Sequence, residues 1–163
     1  MVFEQITNLD GTITNLLDEY RRELRRFGLD TVGQCLRTSI GLAPKFENLF
    51  ACYPSLSHLP VEIEIGNWGR SGCWVWLEGA MNNLTATKTL LSGNDYHAWI
   101  RVESTIIDLT ILHTLAKTQE ELRMARAVYY DVNSNTMFPN NLNFNYNAKL
   151  TIPWRSLVTA LQP

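Results

Sequence analysis

A thiol, an imidazole and a carboxylate occur in that order at Cys35, His97 and Asp108. Brought together, these three groups make a nucleophile, a proton carrier and the acid that orients it, the set used for acyl transfer through a thioester. They are far apart in the chain, so the elements that carry them decide whether they can meet.

His97 and Asp108 fall in the stretch YHAWIRVESTIIDLT, from Tyr96 to Thr110. Its first half alternates Tyr96, Ala98, Ile100 and Val102 against His97, Trp99, Arg101 and Glu103, the period of a strand. TIIDLT is β-branched and short, and aspartate inside such a strand is disfavoured without a specific role. With Glu103-Ser104 as a two-residue turn, Val102 faces Thr105 and Trp99 faces Asp108. His97 and Asp108 are then diagonal neighbours on one face, about 7–8 Å apart at the backbone, which side chains can close. A slip of one residue would put them on opposite faces.

Cys35 is the best placed of the three cysteines. The segment LDTVGQCLRTSIGLA offers Asp30 or Thr31 as an N-cap and then runs with apolar residues at helical spacing. That places Cys35 in the first turn or so, where unpaired N–H groups and the helix dipole favour a thiolate. Gly33 allows close approach of a substrate, and the Cys35 amide, with the Gln34 side chain, is a candidate oxyanion donor. Cys52 and Cys73 have no such context and read as structural; His58 and His113 read as surface or capping residues. A zinc site from the cysteines and His58 lacks ligand spacing, so neither metal nor cofactor is expected. Trp68, Trp74, Trp76 and Trp99 cluster around the strands, where aromatic residues pack a core or line an acyl or peptide groove.

The remaining chain supplies the frame. Leu16, Leu17, Tyr20, Leu24 and Phe27 share one helical face between Asp10 and Phe27, and Gly28 marks the stop. Pro44 either ends the second helix or starts a short one, KFENLFACY. After Pro54 the period changes to two: PVEIEIG is a half-exposed strand, NWGRSG a turn-rich connection and CWVWLEG a second strand. AMNNLTATKTLLSGN carries only a turn signal, at Gly93-Asn94. TQEE, from Thr118, has the form of a capping box and predicts a helix to about Tyr129. NSNTMFPNNLN reads as a loop, FNYNAKLTI as a strand and PWRSLVTAL as a terminal helix with Pro153 first.

The expected fold is α+β, with N-terminal helices packed on a mostly antiparallel sheet, in a single domain over residues 1–163. A net charge of −2 leaves no basic field for nucleic acid, and no apolar run is long enough to span a bilayer. The start lacks a signal-peptide pattern, and the odd set of cysteines fits a reducing compartment, so the expected location is the cytoplasm.

GQC at a helix start, HAW on a strand and IIDLT on the next together resemble the transglutaminase-like cysteine superfamily, with its papain-like core. Gly33, Gln34 and Cys35 match the nucleophile motif of animal transglutaminases, with Leu36 where those enzymes have tryptophan. CLRTSIGL and HAW are similar to the leader peptidases of lasso-peptide biosynthesis, with Tyr96 replacing the alanine that precedes HAW there. The likeness spans about Thr31 to Thr110, and this chain inserts a strand and a long loop before His97. It implies Cys35 as nucleophile, His97 as general base and acid, and Asp108 as its orienter. It also implies a papain-like core and a peptide or protein substrate, used by peptidases, amidases, acyl transferases and deamidases alike. A non-catalytic binding module, or an effector that deamidates glutamine, would use the same scaffold.

Overall fold

The computed structural model describes residues 9–29, 34–70, 73–75, 97–110, 128–131, 136–138 and 144–161. Helix α1 spans Leu9–Arg26 and α2 spans Cys35–Ala51. Among the described residues seven strands follow: β1 Glu62–Arg70, β2 Cys73–Val75, β3 His97–Val102, β4 Thr105–Asp108, β5 Val128–Asp131, β6 Thr136–Phe138 and β7 Phe144–Pro153. Helix α3, Trp154–Leu161, comes last.

All the described strand pairs are antiparallel, in the order β7-β1-β3-β4-β5-β6. β2 pairs with the far end of β1, in line with β3. The α+β expectation therefore holds, and no described helix is long and apolar enough to cross a membrane.

Alternation gives the sheet one apolar face. Ile63, Ile65, Ala98, Ile100, Val102 and Ile107 are all buried there. Ile13, Leu17 and Tyr20 of α1 and Leu42, Ala43, Phe46 and Phe50 of α2 join the Ile100 side of this core. Leu36 of α2 and Leu157 of α3 pack with Ile63, Ile65 and Ala98. Because α2 lies directly on β1 and β3, its N-terminal residue arrives beside the first residue of β3. Ser39 adds a tie, its hydroxyl donating to the Ala98 carbonyl at 3.3 Å.

Several expectations are corrected. Pro44 lies inside α2, which runs unbroken to Ala51. The lost N–H bond is outweighed by burial of Ala43, Phe46 and Phe50 on either side of it, each ring worth about 3–5 kcal/mol against alanine. Helix α2 begins at Cys35 with Gln34 as N-cap, later than Asp30 or Thr31, which lie outside the described residues with Gly33. Asn67–Arg70 are strand because β7 pairs with β1 through Arg70. Val128 and Tyr129 belong to β5 rather than to the end of a helix, and Thr136–Phe138 form a strand where a loop was expected. Phe27 leaves the apolar face of α1 and is 74% exposed, since the helix has already ended at Arg26. Gly28 takes the left-handed conformation there, φ 67°, and the Leu29 amide closes onto the Leu24 carbonyl. Pro153 ends β7 and α3 starts one residue later. The segments 80–94 and 118–127, Trp76, His113, and the side chains of Trp68, Cys73 and Trp74 lie outside the described set.

Candidate active site

The β3–β4 hairpin has the register in which Val102 faces Thr105 and Ile100 faces Ile107. Glu103 makes the turn at φ 49°, a left-handed conformation that favours glycine or asparagine. On the face opposite the aliphatic core, His97 and Asp108 meet: Nε2 of the imidazole lies 2.5 Å from Oδ2 of the carboxylate. They are 6% and 1% exposed.

A carboxylate buried this deeply needs partners for its lone pairs, and Asp108 has them on both oxygens. Oδ1 accepts the Thr110 amide at 3.0 Å and the Thr110 hydroxyl at 3.1 Å. Oδ2 accepts the Tyr146 hydroxyl at 2.9 Å beside the His97 bond. Burial alone would raise the Asp108 pKa; the His97 charge and the bonds from His97, Thr110 and Tyr146 outweigh it and hold it below the ordinary value. Burial likewise works to lower the His97 pKa, but the Asp108 charge and hydrogen bond, with smaller contributions from Cys35, lift it to about 10. The imidazole is thus a cation supported by a carboxylate.

Cys35 is the first residue of α2 and is half-buried. Its thiol is within hydrogen-bonding reach of His97. With Nε2 committed to Asp108, Nδ1 is the ring nitrogen left for sulfur. Gln34 is exposed, makes no side-chain cap, and gives its carbonyl to the Thr38 amide at 2.8 Å. The Cys35 amide lies in the first turn of α2.

Trp99 occupies a different place from the one its type implied. It is fully buried, and its indole N–H donates to Glu64 Oε2 at 2.6 Å. It therefore cannot line a substrate groove; it packs beside His97, 5.8 Å between ring centroids, and supports the site from beneath. Glu64 also accepts the Thr151 hydroxyl at 3.4 Å. Cys52 is exposed rather than packed in a core, and His58 is exposed as well. Among the described residues no group of three or more His, Cys, Asp or Glu side chains converges to hold a metal ion.

Tyr146, Thr110 and Glu64 are the residues that reading by motif misses. Thr110 had a local signal, an Asp-x-Thr in which the hydroxyl and amide can fold back onto the carboxylate. Tyr146 and Glu64 had none, since their partners come from other strands. Comparison with protein-family models, with curated proteins and with solved structures finds no match for this chain.

Proposed function

We propose that this protein is a cysteine-dependent amide or peptide hydrolase, or acyl transferase, built on a papain-like, transglutaminase-like core. The observation that carries the reading is one buried chain of contacts: Asp108 bonded to His97 at 2.5 Å, and His97 in turn in contact with a thiol at the start of a helix. A buried, charged His–Asp pair whose desolvation is offset by donors from Thr110 and Tyr146, set beside a thiol, is the kind of arrangement that marks a functional site. The contact between Cys35 and His97 favours this reading over a binding module, for which the two would have no reason to touch.

In this reaction the Cys35 sulfur, as the thiolate beside the already protonated His97, attacks the carbonyl carbon of an amide or ester. Backbone N–H of Cys35, with the Gln34 side chain, holds the oxyanion. The tetrahedral species collapses, the bond to the leaving nitrogen breaks, and His97 delivers its proton to the departing amine. Water or a second amine then attacks the thioester, His97 takes a proton from it, and sulfur leaves as the acid or new amide is released. Asp108 stays ionised throughout and supports the imidazolium.

Iodoacetamide labelling near pH 6, read by peptide mass, tests the reading. Cys52 is exposed and Cys35 half-buried, so access alone favours Cys52. Faster alkylation of Cys35, lost in H97A, is the expected result; equal or slower labelling of Cys35 overturns the proposal.

A further inference from the structure

Tyr146 reaches the site because β7 breaks step. Ile65 faces Leu150 across β1 and β7, but Gly66 faces Ala148, so Lys149 is an extra residue in a β-bulge. Leu150 packs against the aliphatic core. Plain alternation from Leu150 would carry Tyr146 to that same core face. The bulge turns it over, so that Tyr146 lies on the face of His97 and Asp108. The bulge in turn depends on Gly66, where a Cβ would stand 2.2 Å from the Asn147 carbonyl oxygen.

The ring is held as well as aimed. It meets Trp99 edge-on, 4.9 Å between centroids, and Trp99 is fixed by its bond to Glu64. The Tyr146 hydroxyl donates to Asp108 Oδ2, the oxygen that also bonds His97.

We propose, resting on the acyl-transfer reading above, that Tyr146 is a positioning residue that holds Asp108 ionised and in one orientation, and so keeps the proton on His97 and Nδ1 turned to Cys35. Donors from Thr110 and Tyr146, besides His97, then hold a carboxylate that cannot rotate without breaking several bonds at once. A donor on Oδ2 also withdraws negative charge from the atom nearest the imidazole proton, which opposes its transfer to Asp108. Tyr146 is suited to this, because burial, followed by the Asp108 charge and their hydrogen bond, raises its pKa well above 10. It keeps its own proton throughout the neutral range. Among the described residues, the ionisable groups facing this assembly are His97 on β3, Glu64 on β1 behind Trp99, and Cys35 on α2 beyond the imidazole.

The test compares wild type with Y146F by NMR of the His97 ring during acid titration. The transition marks protonation of Asp108. Losing a hydrogen bond to the charged form raises its midpoint, by about one pH unit. A midpoint unchanged in Y146F overturns the proposal. If Y146F fails to fold, wild-type protein labelled with ¹³C at tyrosine Cζ answers the same question. The Tyr146 resonance must move with the midpoint seen at His97, and a resonance that stays still overturns the proposal. Cys35 alkylation on the same samples keeps the two readings apart: a shifted midpoint with Cys35 no faster than Cys52 overturns acyl transfer and leaves the hydrogen-bonding role of Tyr146 intact.

Discussion

His97 Nε2 and Asp108 Oδ2 lie 2.5 Å apart on neighbouring strands, in a hairpin whose two-residue turn makes them diagonal neighbours. The pair is nearly inaccessible to solvent, so its attraction is little screened by water, and its desolvation is offset by donors from Thr110 and Tyr146.

Stability should carry the signature of this pair. The folded pKa of His97 is raised from 6.5 to about 10, so its contribution is complete below about pH 6.5 and fades as pH rises towards 10. The Asp108 pKa is lowered from 3.8, so its contribution is complete above about pH 4 and fades as pH falls below it. Urea midpoints of wild type relative to D108N should therefore differ most between about pH 4 and 6.5, with the difference shrinking on either side. A difference that does not change with pH would contradict the assigned pair.

Loss of function should be graded between Cys35 and Asp108. With an activated ester as acyl donor, C35A should abolish the acyl-enzyme burst. D108N should keep the burst but slow it on the order of 10⁴-fold, because the imidazole then loses its charge partner and preferred tautomer. Stopped-flow release of the alcohol, with intact mass of the acylated protein, checks both.

Gly66→Ala should disturb a site its side chain never touches. The new Cβ would press into the Asn147 carbonyl, so the bulge must open. We expect a loss of about 3 kcal/mol in chemical denaturation, together with the same upward shift of the Asp108 acid midpoint as in Y146F.

Trp99→Phe keeps most of the packing but removes the donor to Glu64, a buried carboxylate. Leaving it with the weaker Thr151 bond should cost about 1–3 kcal/mol. W99F/E64Q should recover part of this, an outcome that double-mutant denaturation measures directly.

Glu103→Gly should stabilise the fold by about 1 kcal/mol, because a left-handed φ of 49° strains any residue with a Cβ. The side chain is exposed at the turn, so Cys35 alkylation should not change.

Much of this arrangement was legible in short-range patterns. The β3–β4 register followed from period-two alternation, because only one register puts Ala98, Ile100, Val102 and Ile107 together on a buried face. Helix α1 ends where Gly28 permits a left-handed residue, and α2 places Cys35 at a helix start as its apolar spacing implied. What local pattern reads poorly is anything that depends on a distant partner. Pro44 is a breaker by local rule, yet α2 passes through it because the sheet and α1 hold Phe46 and Phe50. Asn67–Arg70 look like a turn until β7, from much later in the chain, supplies their hydrogen bonds.

The sequence by itself determined the chemistry on offer, a thiol at a helix start and a His–Asp pair on a hairpin, because helical spacing, strand alternation and turn length are local properties. Only the tertiary structure decided that the three groups meet and what holds them. The packing of α2 on β3 brings Cys35 to His97, and the bulge opposite Gly66 turns Tyr146 onto Asp108. Both depend on contacts between residues far apart in the chain, whose geometry is set by how whole elements pack and cannot be read from the identity of their neighbours in sequence.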